Sequence, residues 1–298
     1  MMLPQSLLKR IVVFEGWEDW VRDFPQRLKA CEARFRVRVL APYQGLSYHY
    51  VAPALAENGQ PYVLKMGVPN REMAAELTAL KLFAGPSVVK LLDEDLEMGA
   101  WVLERLEPAT PLTHLPDDEA TRIAAKLMTN LWQDPPSNPS DLDSLPTVEK
   151  WSKGLAECRK TFGSHGPIPE VLLSRAEYHF KEFLSTPQQV KLLHGDLHHY
   201  NILLSQRGYT IIDPKGLIGD IGYELGTFLR NPMDFWQRDN LKTLLERRIA
   251  IFSEMLGFEK NYIIAWAIAH CVLSAWWDVE EGVLGPESLI IPQTLATL

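Results

Sequence analysis

Apolar and polar positions alternate through the first third of the chain. Residues 35–40 read Phe-Arg-Val-Arg-Val-Leu, the alternation of a half-buried strand. Runs at 48–56 and 61–66 flank Asn58-Gly59, a pair that tolerates positive φ and predicts a hairpin. The spacing then predicts a helix over 71–83 and strands over 88–92 and 100–106, with Gly99 in the polar turn between them. Five strands and one internal helix make a small, mostly antiparallel lobe over residues 1–106.

From 107 to 298 the pattern turns helical. Helices are predicted over 117–132, with acidic residues in the first turn, and over 171–184 and 240–256. Residues 134–146 hold four prolines among serines and aspartates and read as a loop. A compact β segment, 190–213, interrupts the helices. The expected fold is α+β and bilobal: a small antiparallel β lobe followed by a larger, mainly helical one. A pocket between two such lobes is where a ligand is expected.

Composition narrows the classes. Of 298 residues, 46% are hydrophobic and 23% charged, the balance of a globular protein. A net charge of -8 argues against nucleic acid or an anionic membrane as partner, because phosphate affinity needs a cationic surface. It is compatible with a cationic small molecule. Cys31, Cys158 and Cys271 lie far apart, without zinc spacing or a disulfide framework. The segment from Met1 to Glu15 lacks the apolar core of a signal peptide. The most apolar stretch, 262–277, is shorter than the ~20 residues a span needs and carries His270, so it reads as a buried helix. These features predict a cytoplasmic protein.

The candidate chemistry lies in the β segment. Between apolar runs at 190–193 and 202–204 sits His194-Gly195-Asp196-Leu197-His198-His199-Tyr200-Asn201. After a turn at 205–208, a third run ends in Ile212-Asp213. A hairpin centred near Arg207 sets Asn201 opposite Asp213, and a one-residue error leaves them adjacent. An amide oxygen beside a carboxylate suits Mg²⁺, a hard cation that keeps waters and substrate phosphates. Asp196, on the same loop, is placed to act as a base toward a hydroxyl. Taken singly, Asp196 and Asn201 read more readily as loop caps and Asp213 as a turn former. Their joint order favours phosphoryl transfer.

His-Gly-Asp-Leu-His-x-x-Asn followed by Ile-Asp-Pro resembles the aminoglycoside phosphotransferase family, which has a protein-kinase-like fold. The string from Ile212 to Asp220, with Tyr223-Glu224-Leu225, is most similar to its aminoglycoside 6-phosphotransferase (streptomycin kinase) and hydroxyurea phosphotransferase subgroup. The resemblance runs over roughly 42–282. It implies an ATP- and Mg²⁺-dependent kinase with Asp196 as the base and Asn201 and Asp213 as metal ligands. His194 and His198 become supports of the loop; a rival reading makes His198 and His199 metal ligands. Gly195 stands where a protein kinase has the arginine of His-Arg-Asp, which reads a phosphate on an activation loop. Its absence predicts an enzyme that needs no phosphorylation and a non-protein acceptor.

On the nucleotide side, Lys65 suits the fold's phosphate-holding lysine. At 100° per residue Glu76 falls within the sector of Met73, Leu80 and Phe83, so its carboxylate faces the core and needs a cation. Lys65 is the natural partner; Glu72 is the second candidate. Gly45-Leu46-Ser47-Tyr48 takes the place of a glycine-rich phosphate loop, with Ser47 as a contact or as part of a plain turn. Residues 103–106, Glu104 and Leu106 among them, are expected to meet adenine. Asp278, Glu280 and Glu281 are candidates for a cationic acceptor, as are Asp234 and Glu224, or else 278–281 simply ends a helix in solvent. Three functions stay open: a kinase of a streptomycin-type aminoglycoside, a kinase of another small hydroxylated metabolite (a sugar, an amino alcohol or hydroxyurea), and a nucleotide-binding pseudokinase.

Overall fold

The computed structural model describes residues 3–298; Met1 and Met2, which open the segment read as too polar for a signal peptide, lie outside the described residues. The chain divides into two units, Met1–Glu107 and Pro108–Leu298.

The first unit opens with three helices for which the alternation gave no sign: α1 (Gln5–Arg10), α2 (Trp17–Arg22) and α3 (Phe24–Phe35). The strands follow as β1 (Val37–Val39), β2 (Tyr50–Ala56) and β3 (Pro61–Met66), then helix α4 (Arg71–Leu82), then β4 (Leu91–Asp95) and β5 (Ala100–Glu104). They form one antiparallel sheet in the order β1-β2-β3-β5-β4. Tyr50, Ala52 and Ala54 on β2, Leu64 and Met66 on β3, and Ala100 and Val102 on β5 point to one face. There they share a core with Leu7, Ile11, Trp20, Phe24 and Leu28 of the N-terminal helices. Burying large rings such as Phe24 against Tyr50, 4.9 Å apart, stabilises this layer by about 1.5–3 kcal/mol per side chain. Period two turns Val51, Lys65 and Trp101 to the opposite face, where they are cross-strand partners.

One strand lies three residues later than 88–92. Val88 and Val89 are buried outside the sheet, and β4 reaches β5 through an irregular step between Leu91 and Asp93. Asp93 pairs with Arg34 at 2.8 Å. Charge along an edge strand guards it against pairing with another chain.

The second unit begins with β6 (Pro108–Pro111) and helix α5 (Asp117–Leu131). The proline-rich loop contains a short helix, α6 (Pro139–Ser144), whose Pro sits at a helix start where its missing N–H costs nothing. Then come α7 (Val148–Phe162) and α8 (Glu170–Ser185), and strands β7 (Val190–Leu193), β8 (Ile202–Ser205), β9 (Gly208–Ile211) and β10 (Leu217–Asp220). Helices α9 (Tyr223–Arg230), α10 (Leu241–Leu256), α11 (Lys260–Glu280) and α12 (Pro286–Leu295) complete it. β7 pairs with β10, and β8 lies between β6 and β9, all antiparallel.

α11 is longer than the apolar run suggested, long and apolar enough to cross a membrane by those criteria, yet every residue from Tyr262 to Trp276 is buried. It is the central helix of this unit's core. α9 packs on it closely because Gly222 and Gly226 present no side chain. A Cβ at Gly222 would lie 2.1 Å from Trp266 Cδ1, and one at Gly226 2.4 Å from His270 Cβ.

Candidate active site

The loop at 194–201 leaves β7 and enters β8, and its shape is set by backbone bonds. Gly195 has φ +83°, and a Cβ there would meet Leu217 Cβ at 3.0 Å and Lys215 Cβ at 3.2 Å. A side chain is excluded on both counts, which gives a local physical reason for glycine before Asp196. The fully buried His194 ring spans the loop. Its Nδ1 accepts from the Asp196 N–H at 3.1 Å, and its Nε2 donates to the Ile212 carbonyl at 2.8 Å. These roles require the neutral ring, and burial pushes its pKa down to about 4. The His194 carbonyl accepts from the N–H groups of Lys215 and Gly216.

Beneath the loop lies a residue whose role the residue pattern did not disclose. Glu224, in the first turn of α9, is fully buried, and its two oxygens accept from the N–H groups of His194 (2.7 Å) and Gly195 (3.0 Å). It therefore cannot serve an acceptor, as its acidic character suggested; it clamps the loop backbone. Burial pushes its pKa up to about 7, against the pull of those two bonds. Its one outward sign is an acidic residue opening a helix among apolar neighbours.

Asp196 is partly exposed, and His198 Nε2 lies 3.7 Å from its Oδ1. Asn201 is held by its backbone N–H to the His198 carbonyl (2.9 Å) and by its side-chain amide to the Asp196 carbonyl (2.9 Å). The second bond uses the amide nitrogen, which fixes Oδ1 as the atom left for other partners. The hairpin register is one residue short of the expected pairing, with Ile202 opposite Ile211. Asn201 thus receives the Ile212 N–H at 3.0 Å, and Asp213 follows at once with φ +56°. The turn is tighter than a centre at Arg207 implies because Ser205 and Gly208 already pair. Asn201 and Asp213 remain neighbours at the strand ends, and an amide oxygen plus a carboxylate is a donor set that fits Mg²⁺.

His199 is packed into the core of the second unit. It is buried, stacks on Phe228 with centroids 4.0 Å apart, and its carbonyl accepts from the Leu112 N–H. Its Nε2 lies 3.5 Å from the Arg248 guanidinium. Arg248, fully buried, donates to the carbonyls of Phe228, Leu229 and Asn231 and pairs with Asp117 at 2.5 Å.

In the first unit, Lys65 Nζ lies 2.7 and 2.9 Å from the two oxygens of Glu76, with both side chains buried. Glu72, one turn earlier, is exposed. Asn70 caps α4 by accepting from the Met73 N–H, which fixes the helix start and so the face on which Glu76 lies. Ser47 is exposed in the irregular connection between β1 and β2. Glu104 is committed to its own unit: its N–H donates to the Lys90 carbonyl and its carboxylate accepts from the Lys90 N–H. Leu106 is buried.

The carboxylates near the end of α11 differ among themselves. Asp278 is half-buried, and burial pushes its pKa up, while Glu280 and Glu281 are exposed. The three cysteines are buried and free. Asp234 is exposed in the segment after α9.

This arrangement has relatives. A streptomycin 6-kinase of Streptomyces glaucescens is 28% identical over 288 residues, which cover 94% of this chain and 92% of its own. A hydroxyurea phosphotransferase of Kitasatospora aureofaciens is 29% identical over 294 residues, 94% of this chain and 81% of its own. Among solved structures, an amicoumacin kinase superimposes with a TM-score of 0.61 over 92% of this chain and 94% of its own, at 14% identity. The fold is the α+β, protein-kinase-like one expected from the motif. Residues 39–282 match the family described as aminoglycoside/hydroxyurea antibiotic resistance kinases, and this chain belongs to that family of small-molecule phosphotransferases.

Proposed function

We propose that this enzyme moves the γ-phosphate of ATP, with Mg²⁺, onto a hydroxyl of an aminoglycoside of the streptomycin type, in the cytoplasm. The observation that carries this reading is the loop at 194–201, where the His194 ring and the Asn201 amide hold the Asp196 backbone and the Asn201 carbonyl accepts from Ile212, the residue before Asp213. Asp196 accepts the proton of the acceptor hydroxyl as that oxygen attacks phosphorus. Its partial exposure leaves it accessible to an acceptor. Asn201 Oδ1 and the Asp213 carboxylate would hold Mg²⁺, which supplies charge neutralisation on the phosphates.

The first unit is the nucleotide-binding lobe in this reading. Lys65, oriented by Glu76, holds phosphate oxygens, Ser47 adds a contact, and the backbone at Glu104 and Leu106 meets adenine. ATP use is supported by the amicoumacin kinase of the same fold, described in complex with AMP-PNP and Ca²⁺. The second unit supplies the base, the metal ligands and the acceptor site. Two named relatives, a streptomycin 6-kinase and a hydroxyurea phosphotransferase, support two acceptor classes. A further streptomycin 6-kinase, of Streptomyces griseus, is 26% identical over 95% of this chain and adds support for the aminoglycoside class.

The deciding experiment incubates purified protein with Mg²⁺-ATP and a panel containing streptomycin, other aminoglycosides, hydroxyurea, choline and simple sugars. ADP formation and the mass of the product are followed. Streptomycin phosphorylated at a kcat/KM well above the rest supports the reading. Preference for another acceptor replaces it with the kinase of a different metabolite.

A further inference from the structure

Beyond the proposed base and metal ligands, the second unit holds a cation with no hydrogen-bond or ion-pair partner among the described residues. Arg230 ends α9. It makes no hydrogen bond or ion pair with another described residue, and its Nε is buried without a partner. An arginine in a last helical turn ordinarily keeps its charge in water, where it complements the helix dipole. Here the fork is partly withdrawn from solvent, a costly arrangement unless something accepts from it.

Its location follows from helix register. Gly222 abuts Tyr262 and Trp266, and Gly226 abuts His270, so α9 and α11 run side by side in the same direction. Tyr223 stacks on His270 at 4.8 Å, and Thr227 bonds its Nε2 at 2.6 Å. One more turn brings Arg230 level with Ser274 and then Asp278. Its charge bears on the Asp278 carboxylate on one side and on His198 and Tyr223 on the other. The register sets Arg230 beside the last turns of α11, on the helix whose first turn holds the 194–201 loop.

The remaining boundary is aromatic. The Trp151 ring would lie 3.5 Å from a Cβ on Gly195, the residue preceding the base. Trp151 meets Trp277 edge to face, with centroids 5.5 Å apart and planes at 87°, and meets Tyr223 at 6.1 Å. Trp151 and Trp277 are both partly exposed. Two perpendicular rings next to the base, with a cation and a carboxylate beyond, can receive a ring-sized molecule carrying groups of both signs.

We infer that Arg230 is a specificity-determining residue of the acceptor site, donating through its guanidinium fork to oxygen atoms of the acceptor that neighbour the phosphorylated hydroxyl. This rests on the phosphotransferase reading above and sharpens it. An acceptor bearing only cations is disfavoured by Arg230, whereas an oxygen-rich molecule can turn its hydroxyl or carbonyl oxygens to Arg230 and its cations to Asp278.

The test uses Arg230→Gln and Arg230→Lys in the full chain, with the best acceptor of the panel. The expected result is an acceptor KM raised roughly tenfold or more in Arg230→Gln, the scale of a lost hydrogen bond from a charged donor. Nucleotide KM should stay within about twofold. Arg230→Lys should recover only part, because an ammonium keeps the charge and loses the fork. An unchanged acceptor KM overturns the inference. So does a fall in kcat with raised nucleotide KM, which would assign the fork to phosphate. Should the variants fail to fold, phenylglyoxal labelling of the wild-type protein decides: acceptor must protect Arg230, and protection by ADP alone, or by neither, refutes the assignment. If wild-type protein phosphorylates nothing in the panel, the functional reading itself falls; if it does and Arg230 is indifferent, only this inference does.

Discussion

Lys65 Nζ lies 2.7 Å from one oxygen of Glu76 and 2.9 Å from the other, and both side chains are buried. Removing one partner strands the other's charge, so Lys65→Met should destabilise the protein by about 3–5 kcal/mol in urea denaturation. Lys65→Met with Glu76→Leu removes both charges and should recover most of that loss, since apolar replacement of a buried pair is often neutral. The double variant should still fail to transfer phosphate, because stability is restored and the cation is not. Recovery of both would assign the pair a purely structural task.

Asp196→Ala should lower the transfer rate by roughly 10²- to 10⁴-fold, the usual contribution of a positioned base. Affinity for ADP, measured by calorimetry, should change little. Its carboxylate takes no part in the bonds that shape the loop, which run through its N–H and carbonyl. Substantial turnover by this variant would remove Asp196 from the role of base.

Glu224 makes stability depend on pH. Its pKa of about 7 in the fold exceeds the usual 4.5, so the folded chain holds this proton more tightly than the unfolded chain. Its contribution is complete below about pH 4.5 and is lost as pH rises through about 7. Thermal midpoints at pH 5 and pH 8 should show this component in the wild type, and Glu224→Gln should lack it. The glutamine also turns an N–H toward a backbone donor, which should cost about 1–3 kcal/mol and slow turnover by loosening the loop. A pH profile identical in the two proteins would contradict the assignment.

Arg248 satisfies three backbone carbonyls and Asp117 from inside the core. Arg248→Met should destabilise the second unit by about 3–5 kcal/mol, because those acceptors stay buried without a donor. Arg248→Lys should cost less but remain harmful, since an ammonium cannot reproduce the planar fork. Denaturant midpoints rank the three proteins. Equal midpoints for the lysine variant and the wild type would show that charge alone suffices.

Most elements legible in the residue pattern have one face buried and the other wet, while α11, buried all round, was legible by the length of its apolar run. β2, β3 and α4 lie within two residues of their predicted ends, and Glu76 stood out because a carboxylate on an apolar stripe demands a cation. β4 was displaced because Val88 and Val89 are apolar without being paired, while the paired residues Asp93 to Asp95 are charged. α9 went unread because Tyr223 to Leu229 is buried all round, which removes periodicity. Among the candidate site residues, Asn201 and Asp213 could be related in the sequence because they flank one hairpin, and Asp196 because it lies on the loop that leads into it. Glu224 was named for an acceptor and not for the loop it clamps, and Arg230 was not named, since what each side chain meets depends on other elements. A buried carboxylate that accepts backbone N–H groups has the same one-letter symbol as one in water.

α9 grips the 194–201 loop at its first turn through Glu224 and ends in Arg230 six residues later. At about 1.5 Å per residue, the two lie about 9 Å apart along the axis. The helix thereby acts as a gauge block. Packed flush against α11, it cannot slide to suit a larger or smaller acceptor without driving its glycines into Trp266 and His270. If Arg230 meets the acceptor as inferred above, a change of acceptor falls to side chains at the far end of the rod, while the end that holds the 194–201 loop stays fixed. Acceptor preference and transfer chemistry are then set at opposite ends of one rigid helix.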